Sequence, residues 1–277
     1  MRIDAHQHFW RIADRAGQWP PAALSAIYRD FMPDDLRPHL AENNIEGTVL
    51  VQTMECAADT AFMLDLAARH VFIKAVVGWV DLKAPDAPAS IAQLARAPKL
   101  RGLRPMLQDI ADEAWIADRA LDPAVAAMVA HELAFDALVL PRHLPHLSHF
   151  ARRHPGLRLV IDHGAKPAIV EGRLADWRRA MADLAACPNV TCKLSGLLTE
   201  AGGHRPESVR PYAETILDLF GPNRVIWGSD WPVLTLATDY RAWFEQCRAM
   251  VPKEHHSAVF GGNAAVFYRL NAAASAH

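Results

Sequence analysis

Short stretches rich in β-branched and other apolar residues recur eight times along the chain, and segments with helical patterns separate them. Several stretches, such as residues 47–51, are almost continuously apolar, which is typical of strands buried on both faces of a parallel sheet. Eight units in 277 residues give about 35 residues per unit. The stretches are Arg2–Phe9, Glu46–Gln52, Phe72–Asp81, Leu100–Leu107, Ala134–Leu140, Arg158–Gly164, Asn189–Gly196 and Arg224–Trp231.

This alternation predicts an α/β fold, a (β/α)8 TIM barrel formed by residues 1–277 as a single domain. A doubly wound open sheet is the competing interpretation, but it usually has fewer strands, and the first stretch is not followed by a Gly-rich phosphate turn. The intervening segments predict helices. Asp122-Pro123 is a helix start, Gly221-Pro222 is a helix stop, and one apolar stripe has spacings of three, four and three residues: Leu174, Trp177, Met181 and Leu184.

A long segment from Trp10 to about Asn44 separates the first two predicted strands. It contains Trp19, Tyr28 and other aromatic residues before a short predicted helix near residues 34–43. A loop in this position follows the carboxyl end of a barrel strand. We therefore expect it to cover the mouth of the barrel.

Composition excludes several classes of partner. The 29 Lys and Arg residues against 31 Asp and Glu residues give a net charge of -2, whereas nucleic acids and anionic membranes select clustered basic residues. The first residues have no apolar signal core, and no apolar run approaches the length of a membrane span. These features predict a cytoplasmic protein that acts on a small molecule; they do not determine its oligomeric state.

Ligand-capable side chains stand at the ends of three predicted strands. His6 and His8 are two residues apart, so both point to the same face of the first strand. Asp162-His163 closes the sixth strand, and Asp230 closes the eighth. Each feature alone is more often structural, but a closed barrel aims all three strand ends at one cavity. The conjunction predicts an active site there.

Three further polar residues have open interpretations. Arg104 in the fourth strand needs an anionic or carbonyl partner, which is either substrate or a structural ion pair. Gln52 can hydrogen-bond a substrate or satisfy a backbone group. Lys193 in the seventh strand points inward or reaches out to solvent, and we favour a structural role for it.

With these residues assembled, the chain resembles the amidohydrolase superfamily, and within it the branch that holds L-fuconolactonase-like sugar lactonases and pyrone-dicarboxylate lactonases. The resemblance implies a distorted (β/α)8 barrel that hydrolyses a lactone ring. The matching segments run in the expected order over residues 4–264: Asp4–Trp10, Gly47–Gln52, Gly102–Pro105, Asp162–Pro167, Lys193–Gly196, Trp227–Pro232 and Gly262–Ala264.

The resemblance also implies a set of metal ligands. His6 and His8 match the metal pair of the superfamily's first strand, His163 matches a later-strand histidine, and Asp230 matches the strand-eight aspartate. The chain departs from the two-metal pattern, because strand four offers Arg104 rather than a bridging lysine or glutamate. One zinc held by these residues is compatible with the resemblance, since Zn²⁺ takes nitrogen and oxygen ligands. Some members of the branch work without metal, so the requirement for zinc stays open.

The implied reaction has Asp230 as general base, with His163 and its neighbours stabilising the oxyanion. Arg104, Lys166 and Gln52 are expected to bind substrate oxygens. Trp10 and Trp231 are expected to pack against the apolar face of a sugar ring.

Three alternatives share this fold. They are a dicarboxylate lactone hydrolase, a metal-dependent decarboxylase with the same ligands, and a barrel that binds a small acid or sugar without turnover. A dicarboxylate would need several fixed cations at the mouth, and the strand ends offer few. The sequence therefore favours a neutral aldonolactone.

Overall fold

Eight parallel strands pair in chain order, each with the next. The computed structural model describes residues 1–15, 17–202 and 206–270. Almost every strand residue is buried, as the continuous apolar runs predict. The strands are β1 (Ile3–Gln7), β2 (Gly47–Val51), β3 (Ile73–Gly78), β4 (Leu100–Leu103), β5 (Ala134–Ala137), β6 (Leu159–Ile161), β7 (Val190–Leu194) and β8 (Val225–Trp227).

The end of β8 returns to β1 and nearly closes the sheet into a barrel. A parallel bridge joins Gln7 to Trp231, and the backbone N–H of Asp230 donates to the carbonyl of His6 at 2.8 Å. The ladder between β1 and β2 shifts register between Asp4 and Gln7. The predicted (β/α)8 TIM barrel is confirmed, including its distortion.

Helices follow the strands and pack around the sheet. Their apolar stripes face the core; Trp177, Met181 and Leu184 are the buried residues of α6. The helices are α1 (Pro33–Asn43), α2 (Ala57–Arg69), α3 (Ala87–Leu94), α4 (Asp122–Ala130), α5 (Leu144–Arg153), α6 (Leu174–Ala185), α7 (Leu197–Glu200), α8 (Arg210–Phe220), α9 (Tyr240–Met250) and α10 (Asn263–Phe267). In the described part of the chain, none of them has both the length and the apolar character needed to cross a bilayer.

The segment between β1 and α1 folds back over the barrel mouth. Trp10 and Phe31 pair as an antiparallel bridge, and the Trp10 indole N–H donates to the carbonyl of Arg29 at 2.8 Å. Trp19 packs against Trp10 with ring centroids 5.9 Å apart. This closed loop places Trp19 at the cavity described next.

Candidate active site

A cavity lies at the carboxyl ends of the strands, where the sequence predicts the site. Its polar wall contains His8, Arg104, His163, Lys166 and Asp230. Its apolar wall includes Trp19, Met106, Leu138 and Val233. The cavity therefore combines titratable groups with an apolar surface, as small-molecule sites commonly do.

The Asp230 carboxylate is the centre of this wall. Its Oδ1 lies 3.2 Å from His8 Nε2, 3.7 Å from His6 Nε2 and 3.8 Å from His163 Nε2. His6 lies in β1, His8 directly follows it, and His163 lies just after β6, so barrel closure brings together side chains that are distant in sequence. The structure thus assembles His6, His8, His163 and Asp230 around one oxygen atom.

The backbone around these residues is locally strained. Asp230 has φ +62°, His163 has φ +52° and Lys166 has φ +49°, values in the left-handed region that side chains other than glycine rarely adopt. Such conformations persist where surrounding contacts determine them, and they cluster at functional sites.

Buried Asp4 makes some of the contacts that hold the backbone of Asp230 in this conformation. Its carboxylate accepts hydrogen bonds from the backbone N–H and hydroxyl of Ser229, at 2.8 and 2.6 Å, and from the Tyr240 hydroxyl at 3.0 Å. Burial raises the pKa of Asp4 to about 6 despite these donors. Asp4 therefore anchors the turn that carries Asp230.

Which ring nitrogen of His8 carries the proton affects what the site can bind. Its Nδ1 lies 2.7 Å from the carbonyl oxygen of Val51, which can only accept, so Nδ1 carries a proton. In a neutral ring Nε2 then carries a lone pair, and this nitrogen faces the Asp230 Oδ1 atom at 3.2 Å. A lone pair and a carboxylate oxygen this close repel each other unless a cation lies between them.

Burial sets the other charges of the wall. Burial alone would raise the pKa of Asp230, but His163, the hydrogen bond from His8 and His6 together hold it far below its usual range. Burial lowers the pKa of His163 to about 4, and Asp230 and Asp162 oppose that shift only in part. Burial, with Lys193 nearby, also holds the pKa of His6 well below its usual value. At neutral pH Asp230 is thus ionised and His6 and His163 are neutral.

The two cations of the wall already have carboxylate partners. Arg104 Nη1 lies 3.3 Å from Asp162 Oδ2, and its Nη2 donates to the Gln52 carbonyl. Lys166 Nζ lies 3.4 Å from a carboxylate oxygen of Glu200. The protein itself therefore supplies the anionic and carbonyl partners that Arg104 requires inside the barrel.

Other predicted substrate ligands lie outside the cavity wall. Gln52 is fully buried, and its side-chain amide donates to the Arg104 carbonyl at 2.6 Å, which matches the backbone-satisfying interpretation. Trp231 packs against Phe9 and Phe31, and Trp10 packs against Trp19. Direct contact of Gln52, Trp10 and Trp231 with substrate stays a prediction.

A buried polar layer beneath the cavity was not fully anticipated from the sequence. Lys193 points inward, into the barrel, and pairs with Asp136 and Asp162. Tyr268, next to α10, donates to Asp136 at 2.6 Å. The sequence offered two signals of this layer, Lys193 in the seventh strand and a carboxylate, Asp136, inside an otherwise apolar strand.

Two groups of side chains are spaced to hold a metal ion. One consists of His6, His8 and Asp230, and the other of His6, Asp162 and His163; within each, the ligand atoms lie within 4.8 Å of one another. Tetrahedral Zn²⁺ with bonds near 2.1 Å needs ligand atoms roughly 3.4 Å apart. The separations of 3.2 and 3.7 Å around Asp230 Oδ1 are close to that value.

Comparisons with known proteins agree with this geometry. L-fucono-1,5-lactonase of Burkholderia ambifaria is 59% identical over 281 residues, which are 98% of this chain and 96% of that protein. L-fucono-1,5-lactonase of Burkholderia multivorans is 40% identical and covers 98% of this chain and 96% of its own length. A crystal structure of an amidohydrolase from Burkholderia multivorans with bound zinc superposes with a TM-score of 0.90 at 40% identity, over 97% of this chain and 99% of that one.

A family model described as amidohydrolase matches residues 3–270, nearly the whole chain. The resemblance inferred from the strand-end motifs is thereby confirmed. The chain belongs to the amidohydrolase family.

Proposed function

We propose that this protein is a lactonase that opens the ring of a neutral aldonolactone of the L-fucono type. The observation that carries the proposal is the ionised Asp230 carboxylate in the cavity wall, with imidazole nitrogens of His6, His8 and His163 at 3.7, 3.2 and 3.8 Å. The names of the two Burkholderia relatives, both L-fucono-1,5-lactonase, support the substrate class.

Asp230 acts as general base in this reaction. It takes a proton from a water molecule, and the resulting hydroxide oxygen bonds to the lactone carbonyl carbon. The carbonyl oxygen becomes an oxyanion, which donors of the wall stabilise; we assign this task to His163 and Arg104, which line the cavity. The bond between the carbonyl carbon and the ring oxygen then breaks, and the ring oxygen receives the proton from Asp230. The product is an open-chain hydroxy acid.

The charge of the cavity favours a neutral substrate. Asp162 neutralises Arg104, and Glu200 neutralises Lys166. A dicarboxylate lactone would have to compete with these protein carboxylates for both cations. A polyhydroxy ring needs no charge compensation and can use Arg104 and Lys166 as hydrogen-bond donors.

The donor set also fits one divalent ion, which we propose is zinc. His8 and Asp230 can ligate the ion in their present arrangement. Because His8 Nδ1 donates to the Val51 carbonyl, Nε2 can offer its lone pair to the ion. His6 would be the third ligand, with His163 beside it, and would need a lone pair at Nε2. When bound, the ion would polarise the lactone carbonyl as a Lewis acid.

Three other interpretations stay predictions. We propose that residues 1–277 act as a single domain, which the family match over residues 3–270 supports. From the sequence we expect a cytoplasmic location and no nucleic-acid partner.

A substrate screen tests the proposal. Aldonolactones, including L-fucono-1,5-lactone, and dicarboxylate lactones are offered to the protein with a pH indicator, each with and without chelator. We expect kcat/KM to be highest for the aldonolactone, with hydrolysis persisting in chelator. A dicarboxylate lactone turned over faster than every aldonolactone would contradict the proposed substrate class, and binding without turnover of any lactone would contradict the enzyme itself.

A further inference from the structure

Lys193 lies at the centre of the barrel, beneath the cavity. It is fully buried, as are His6, Asp136 and Asp162 around it. Its Nζ lies 2.6 Å from Asp136 Oδ2, 2.9 Å from Asp162 Oδ1 and 3.1 Å from His6 Nδ1. Two carboxylate oxygens and one imidazole nitrogen thus surround the Lys193 Nζ.

An ammonium group constrains the histidine that it touches. It has three hydrogens to donate and no lone pair to accept with, and it has three neighbours here. The hydrogen bond between Lys193 and His6 therefore requires His6 Nδ1 to be the acceptor. A neutral imidazole carries a single proton, so the proton of His6 must then be on Nε2.

Two longer contacts favour the opposite tautomer. Asp162 Oδ1 lies 3.4 Å from His6 Nδ1 and could accept a proton from it. Arg104 Nη1 lies 3.4 Å from His6 Nε2 and could donate to it. Both are longer than the 3.1 Å contact with Lys193, and a proton on Nδ1 would point at an ammonium group. Asp162 and Arg104 also lie 3.3 Å from each other, which gives each a partner that does not depend on His6.

We propose that Lys193 is a positioning residue that fixes the Nε2–H tautomer of His6. In that tautomer the ring presents an N–H rather than a lone pair to Asp230 Oδ1, 3.7 Å away. Lys193 thereby orients the general base of the proposed function, on which this inference rests in part. It also weakens metal ligation by His6, because Nε2 must lose its proton before it can bind an ion.

The wild-type protein provides a test that does not require activity. The chain is labelled with ¹⁵N-histidine, treated with chelator, and its imidazole nitrogens are read in long-range ¹H–¹⁵N spectra. The His6 signals are assigned by their loss in His6→Asn. We expect a proton-bearing Nε2 and a bare Nδ1; the reverse pattern would overturn the inference. Failure of every lactone in the substrate screen, with this pattern intact, would overturn only the proposed function.

A paired substitution tests the role of Lys193 itself. Lys193→Met combined with Asp136→Asn removes one charge of each sign, so no uncompensated charge is created in the barrel. Asp162 can then accept from Nδ1, and we expect the His6 proton to move there. We also expect zinc affinity in a competition titration to rise about tenfold, since ligating histidines commonly donate their other N–H to a carboxylate.

The chelated paired variant should lose roughly tenfold in kcat, with KM changed less than about twofold, because the His6 ring then presents a lone pair instead of an N–H to Asp230. Tyr268→Phe is the matched control: it removes the other hydrogen bond to Asp136 Oδ2 and leaves the contact of Lys193 with His6. We expect its His6 tautomer and zinc affinity to equal those of wild type. An unchanged tautomer in the paired variant, or a shift of the same size in Tyr268→Phe, would contradict the inference.

Discussion

At the scale of single residues, the ionised state of Asp230 decides the chemistry. Its low pKa keeps it available as a base throughout the neutral range, although a low pKa also makes it a weak base. In the proposed reaction its position compensates, because the water that it would activate lies next to the lactone carbonyl. General bases of this kind contribute about 10²- to 10⁴-fold.

Replacing Asp230 by asparagine should therefore lower kcat by about 10³-fold with little change in KM. Because hydroxide can substitute for the missing base, we expect the residual rate of Asp230→Asn to rise about tenfold per pH unit between pH 7 and 9. Steady-state kinetics across that range measure both effects. Asp218→Asn is the control, because Asp218 is exposed and pairs with Arg178 on the outer helices. An Asp230→Asn enzyme with near-wild-type kcat would rule out the general-base role.

The sequence could identify these strand-end residues because alternation along a strand determines which side chains share a face. His6 and His8 follow from their spacing, and His163 and Asp230 from their places at strand ends. Pairings between distant segments could not be predicted in the same way. Tyr268 reaches Asp136 over 132 positions, and only the register and closure of the barrel bring them together.

At the scale of elements, local patterns predicted the strands and helices well. The helix before Gly221 ends at Phe220, as the Gly-Pro step indicates. Asp122 was expected to cap α4, but the helix begins at Asp122 itself, preceded by Leu121. The Asp122 carboxylate lies 3.3 Å from Arg153, the last residue of α5, and 3.2 Å from His154, which follows it. Tertiary ion pairs thus replace the local cap that the sequence suggests.

The loop after β1 depends on one buried arginine. Arg15 is 2% exposed; it donates to the Trp19 carbonyl at 2.7 Å and to the Thr53 hydroxyl at 2.5 Å. Its guanidinium also lies over the Trp10 ring, 5.2 Å from the centroid. Arg15 thus connects the loop to Thr53, just after β2, and places Trp19 in the cavity wall.

Arg15→Gln should loosen this loop and lower kcat/KM by about tenfold, mainly through KM, because Trp19 loses its fixed position. We also expect faster cleavage of the loop in limited proteolysis. Arg11→Gln is the matched control, since Arg11 belongs to the same loop but is exposed and pairs with nearby Asp14. Equal kinetics for both variants would show that Arg15 does not position the cavity wall.

At the scale of the whole molecule, a barrel with its titratable groups inside links folding to pH. The folded chain holds His163 neutral, with a pKa of about 4 against 6.5 when exposed. Between these values the unfolded chain binds more protons at this position, so stability falls as pH falls. Asp4 has the opposite effect on stability. Its raised pKa of about 6 makes the folded chain bind a proton more readily than the unfolded chain between pH 6 and 3.8, so this contribution to stability rises as pH falls.

The contribution of His163 can be isolated with the variant His163→Asn, because Asp4 is present in both proteins and the low pKa of His6 comes mainly from burial and Lys193. Lowering the pH from 7 to 5 should reduce the free energy of unfolding of the wild type by roughly 2 kcal/mol more than that of the variant. Equilibrium urea unfolding at both pH values, with chelator present so that no metal contributes, measures this difference. An identical loss in the two proteins would mean that His163 is not held neutral by burial. A smaller loss in the wild type would reverse the sign of the linkage and require a protonated His163 beside Asp230.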